Sequence, residues 1–135
     1  MIGVLIVTHG TIGEALLASA TQIIGRPQAQ VATLGVSRHD DPDVVLPRAR
    51  ALVAELDRGA GVLVLADMYG ATPCNIAARL LVDGRVEGVA GVSLPMLVRV
   101  LAGRNGSLAA AVERARSGGA EGVVHMNRDR CNGAR

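Results

Sequence analysis

Two short stretches of this chain put groups that can move a proton or a phosphoryl unit at the ends of apolar runs. The first is LIVTHG, residues 5–10, where His9 follows Leu, Ile, Val and Thr. The second is VLVLADMYGATP, residues 62–73, where Asp67 closes a similar run and a glycine-containing loop leads to Thr72 and Pro73. A hydrophobe would stabilise a buried strand end better than an imidazole, so His9 asks for a chemical reason. Neutral imidazole offers one unprotonated nitrogen, and a carboxylate bonded to the other ring N–H selects that tautomer. A helix opening at Thr72 adds free backbone N–H groups and a positive dipole end, which suit a phosphate. Gly70 and Ala71 allow close backbone approach, and the Thr72 hydroxyl can cap the helix or meet a phosphoryl oxygen. The expected constellation is a nucleophile (His9), an orienting carboxylate (Asp67) and a phosphate cradle (Gly70, Ala71, Thr72). The chain has no GxxxxGK[ST] motif, so the expected phosphoryl donor is another phosphoprotein rather than ATP bound here. No cofactor and no metal are expected, because Cys74, Cys131, His39 and His125 lack a ligand spacing.

The elements that must position these groups alternate between strand and helix. IGVLIVT at residues 2–8 reads as a strand buried on both faces of a parallel sheet. Thr11 and Glu14 read as a capping box for the next helix, whose apolar face would carry Ile12, Ala15, Leu16, Ala20 and Ile23 before Gly25 ends it. QVATLGV at 30–36 is a second strand. Asp41 and Pro42 open a second helix, which Pro47 should kink or confine to the residues beyond it. GVLVLA at 61–66 is the third strand, a helix is expected over 73–82, and VEGVAGV at 86–92 is the fourth strand. Two short helices follow, over 94–103 and 107–119, then EGVVHM at 121–126 as an edge strand. Four βα units predict an open, doubly wound parallel sheet with helices on both faces. Sites in such sheets form at the carboxyl ends of strands where strand order reverses. The expected domain is 1–126, with 127–135 as a mobile polar tail.

Composition narrows the classes. The 135 residues suit one domain, and half are apolar although the chain has one Tyr and neither Phe nor Trp. All 14 basic residues are Arg, and the net charge of +2 with no basic stripe argues against a nucleic-acid surface. The apolar runs are strand-sized, below the ~20 residues of a membrane span, and no charged region precedes the first one. A cytoplasmic protein without a signal peptide is expected.

At these residues the chain resembles the IIA component of the mannose-type bacterial phosphotransferase system. The resemblance rests on VLIVTHGTIGEALL, GVLVLADMYGATPCNIAARLL and GVSLPMLVRVL, the middle stretch matching the pattern D-x-x-G-[GA]-[ST]-P-x-N. It implies that His9 accepts a phosphoryl group from the phosphocarrier HPr and passes it to a IIB protein, with Asp67 as its carboxylate partner and Thr72 near the phosphate. It implies a parallel sheet between helices, and a homodimer in which EGVVHM is exchanged. Any membrane contact would come through other components, and no IIB domain is expected in these residues. The role would be sugar uptake or regulation.

Two other classes share the strand-His-Gly start. The phosphotransfer subunit of dihydroxyacetone kinases is the nearer alternative, but its second loop lacks the GATPCN run found at residues 70–75. A tetrapyrrole metal chelatase would use His9 as a ligand and need a second His or acid to complete the site. A regulator using phosphorylated His9 as a docking signal is a third, non-enzymatic possibility.

Overall fold

The computed structural model describes residues 1–128, so Cys131 and most of the expected polar tail lie outside the described residues. The order is β1 (Gly3–His9), α1 (Ile12–Ile24), β2 (Val31–Val36), α2 (Pro42–Leu56), β3 (Val62–Ala66), α3 (Thr72–Ala78), β4 (Val86–Ala90), α4 (Leu94–Leu101) and α5 (Leu108–Glu121). The four strands form one sheet in the order β2-β1-β3-β4, every pair parallel. Strand order reverses between β1 and β3, which therefore flank the topological switch point.

The apolar runs form buried strands because each face of the sheet receives its own layer. Leu5, Val7, Leu34, Val64 and Ala66 face α2 and α3, where Leu46, Ala49 and Ile76 cover them. Val4, Ile6, Leu63 and Leu65 face the other way, against Ala20, Met96, Leu97, Val100 and Ala115 of α1, α4 and α5. At the amino-terminal edge of the sheet, buried Arg104 ties the layers together. Its Nη1 donates to the carbonyls of Ile2 at 3.3 Å and Ala29 at 2.6 Å.

Several helix details depart from the sequence reading. The Thr11 side chain makes no cap hydrogen bond, so the expected capping box does not form. Instead the buried Thr8 hydroxyl, on the preceding strand, accepts the Gly13 N–H at 2.8 Å. The inward face of α1 carries Gly13, Leu16, Leu17, Ala20 and Ile24, while Ile12 and Ile23 are exposed. Asp41 does cap α2, accepting the Asp43 N–H at 2.9 Å, and the helix runs on through Pro47. Helix α3 ends early, at Ala78, because the N–H groups of Arg79 and Leu80 donate three residues back to Ile76 and Ala77. This tightening leads into the turn at Asp83–Gly84.

Helix α5 carries Gly118 and Gly119 within the expected span and runs two residues past its expected end, to Glu121. The reason is packing: a Cβ on Gly118 would come within 3.2 Å of the Met96 backbone, and one on Gly119 within 2.9 Å of the Met96 side chain. The glycines let α5 lie close against α4. In the single chain residues 121–126 form no strand; Glu121 closes α5, and Val123 and Met126 are exposed.

Candidate functional site: an imidazole and a carboxylate at the switch point

His9 ends β1, and Asp67 is the first residue after β3, the strand hydrogen-bonded beside it. Parallel pairing aligns their carboxyl ends, so two residues 58 apart in sequence meet at one edge. The Asp67 carboxylate closes on His9 in two places. Its Oδ2 accepts the His9 backbone N–H at 3.0 Å and lies 2.8 Å from the ring Nδ1. An ionised carboxylate has no proton to donate, so Nδ1 carries the hydrogen and Nε2 keeps its lone pair. The side chains are 46% exposed for His9 and 12% exposed for Asp67, so the ring is reachable while its anchor is sheltered.

Partial burial pushes the Asp67 carboxyl up in pKa. The His9 backbone N–H, the ring hydrogen bond and, where the ring is protonated, its charge outweigh it, and the net shift is below the ordinary value of 3.8. Asp67 therefore stays ionised across the physiological range. Its second oxygen, Oδ1, is buried with no hydrogen-bond partner among the described residues.

The backbone around His9 is held by residues that sequence reasoning missed. Thr8, 1% exposed, joins the strand end to the first turn of α1 through the Gly13 N–H. Gly10 takes a positive φ of 47° and donates its N–H to the Val36 carbonyl at 3.2 Å. Its own carbonyl lies so close to Gly35 that a Cβ there would collide with it. A threonine inside an apolar run and a glycine next to the end of β2 were the available signals.

The 67–71 loop brings the other expected groups to the same edge. Gly70 adopts φ 81°, and the Ala71 N–H closes a long turn onto the Met68 carbonyl at 3.4 Å. Ala71, not Thr72, is the N-cap of α3, so no side chain caps this helix. Thr72 is its first residue, and its hydroxyl makes no hydrogen bond among the described residues. Cys74 is a half-buried free thiol, and Asn75 is exposed. Ile12, Met68 and Tyr69 form an exposed apolar rim, 47%, 61% and 87% accessible. His39 lies in the β2–α2 loop and His125 beyond α5, so neither joins the pair, and no three His, Cys, Asp or Glu side chains cluster as a metal site among the described residues.

Fold and site together define an open parallel α/β protein with a carboxylate-anchored imidazole at its switch point. The chain belongs to the family described as the PTS system fructose IIA component, which matches residues 3–115; these are parts of phosphotransferase systems. It is 36% identical over 124 residues to the PTS system mannose-specific EIIAB component of Escherichia coli (strain K12), covering 87% of this chain. The chain spans only 38% of the length of that relative. It is 31% identical over 102 residues to the PTS system fructose-specific EIIA component of Bacillus subtilis (strain 168), covering 75% of this chain and 69% of that protein. Among solved structures, the phosphotransferase system component EIIA from Streptococcus agalactiae superposes with a TM-score of 0.83 at 25% identity, covering 95% of this chain and 99% of that one.

Proposed function

We propose that this chain is a phosphoryl carrier in which His9 Nε2 accepts a phosphoryl group from phospho-HPr and passes it to a IIB protein. The observation that carries the reading is the double closure of Asp67 Oδ2 on His9. It fixes ring and tautomer at once, leaving Nε2 as the only nucleophilic nitrogen. In the transfer, the P–N bond to the donor breaks and its electron pair returns to the donor nitrogen. The Nε2 lone pair forms the new P–N bond, and positive charge grows on the ring. The Nδ1 proton stays where it is, shared with Asp67, whose negative charge stabilises that growth. Asp67 is thus the orienting residue. Gly70, Ala71 and Thr72 form the phosphate-binding loop: the unbonded Thr72 hydroxyl and the first N–H groups of α3 are the donors a phosphoryl oxygen needs. The exposed rim of Ile12, Met68 and Tyr69 suits docking of the two partner proteins in turn.

The same reading makes residues 1–126 one domain, puts the chain in the cytoplasm beside its donor, and serves sugar uptake or its regulation. It also makes the protein a homodimer. Strand β4 has a free edge, an aggregation hazard unless covered. A groove of about 760 Å³ runs beside it, lined by Gly88, Ala90, Met96, Ala120 and Val123. The exposed segment 123–126 of a second copy fits that edge by a two-fold exchange. The test is incubation with phosphoenolpyruvate, enzyme I and HPr, followed by intact mass. One acid-labile phosphoryl group is expected on the wild type and none on His9→Ala; label on His9→Ala refutes the assignment.

A further inference from the structure

The phosphoryl group brings roughly −1.5 to −2 charges to a site that already holds an anion, Asp67, against the ring. Transfer is catalysed largely by positioning and by positive charge where these oxygens arrive. The chain contains no lysine. Four loops leave the carboxyl ends of the strands, at residues 10–11, 37–41, 67–71 and 91–93, and Arg38 is the single arginine in them.

Its backbone is tied to the site strand. Val36 is the register partner of His9, on a strand ~4.8 Å away, and its carbonyl accepts the Gly10 N–H at 3.2 Å. Arg38 is two residues further on. The turn that carries it is closed by three bonds: Ser37 N–H to Asp40 Oδ2 at 2.8 Å, Asp40 N–H to the Ser37 carbonyl at 3.0 Å, and His39 N–H to Ser37 Oγ at 3.3 Å. The two acids that follow it in the same loop are occupied: Asp40 holds this turn, and Asp41 accepts the Asp43 N–H to cap α2. Arg38 itself is exposed and forms no ion pair or side-chain hydrogen bond among the described residues. A fixed turn therefore holds an uncommitted guanidinium in the loop that follows the strand neighbouring the nucleophile, where a planar fork matches phosphoryl oxygens.

We propose that Arg38 is the cation that meets the phosphoryl group on His9, stabilising it in flight and after arrival. This rests on His9 being the phosphoryl acceptor. The experiment compares wild type, Arg38→Gln and Arg38→Lys, each phosphorylated by the phosphoenolpyruvate, enzyme I and HPr cascade, reading the transfer rate and the ³¹P shift against pH. The other titratable groups around the phosphoryl group are Asp67, His39, Asp40, Asp41, Asp43 and Glu14, all kept in the three proteins. Arg38→Gln should slow transfer about 10-fold or more and raise the second phosphoryl pKa by roughly half a unit or more, as removal of an adjacent cation requires. Arg38→Lys should recover most of the pKa. An Arg38→Gln protein with wild-type rate and titration overturns the proposal. So does slower transfer with an unchanged titration, since that is partner docking without contact to the phosphoryl group. A wild type that takes up no phosphoryl group refutes the reading of His9 itself, and Arg38's role with it.

Discussion

Replacing Asp67 by Asn tests the pair with little change of shape. Two bonds converge on Oδ2, 3.0 Å from the His9 backbone nitrogen and 2.8 Å from Nδ1. The backbone bond is equally present before and during transfer, so its weakening affects stability more than rate. The ring bond is different, because in the proposed transfer positive charge develops on the imidazole as Nε2 attacks phosphorus. A full unit charge about 4 Å from the carboxylate gains about 4 kcal/mol at an effective dielectric of 20. Half-developed charge gains about 2 kcal/mol, which the neutral amide forfeits. An amide that turns its NH₂ to the ring also favours the tautomer with hydrogen on Nε2, and this removes the nucleophile until the ring is reset. The sum is about 2–4 kcal/mol, or roughly 30- to 10³-fold in rate. Single-turnover phosphorylation by excess phospho-HPr measures it directly, with circular dichroism confirming the fold. Transfer at the wild-type rate would reduce Asp67 to a residue that merely holds the strand end.

Three further outcomes follow from the same geometry. Thr8→Val keeps the shape of a buried side chain but leaves the Gly13 N–H without its acceptor, at a cost of about 1–3 kcal/mol; thermal melting should fall by several degrees, and an unchanged melt would show that the bond matters little. The Asp67 carboxyl titrates below its ordinary value when folded, so its stabilisation is complete above that value and is lost as pH falls through the lower folded one. The stability gap between wild type and Asp67→Asn in urea should thus be constant near neutrality and close only at acid pH; a gap closing between pH 6 and 8 would contradict this. Removing residues 123–135 should yield a monomer by light scattering while removing 127–135 leaves the dimer, and a monomeric full-length protein at micromolar concentration would end the exchange idea.

Much of the site was legible because its signals are local. A run of Val, Leu and Ile must be buried, and a polar residue at its end must lie at a sheet edge; the placement of His9 and Asp67 at the carboxyl ends of two strands followed from that. The errors arose where a tertiary contact overrides a local pattern. Thr11 and Glu14 match a capping box, yet the acceptor that satisfies α1 is Thr8, which only the fold brings to Gly13. The face of α1 was misplaced because hydrophobicity counts side chains, whereas the closest approach to β1 is made by Gly13, where a Cβ would sit 3.1 Å from Thr8 Oγ1. The expected end of α5 at residue 119 fell short for the same reason: Gly118 and Gly119 are the residues that let α5 nestle on α4, and the helix runs on to Glu121. Arg38 had no motif to announce it; its interest comes from the register that sets Val36 beside His9.

The central claim is that the phosphoryl group is carried on one nitrogen of one histidine. Proton–nitrogen correlation spectra of ¹⁵N-labelled protein, recorded before and after phosphorylation, distinguish the two ring nitrogens of His9. With Nδ1–H bonded to Asp67 at 2.8 Å, phosphorus must couple to Nε2 while Nδ1 keeps its proton. Coupling to Nδ1, or a phosphoryl group on any other residue, would contradict the account.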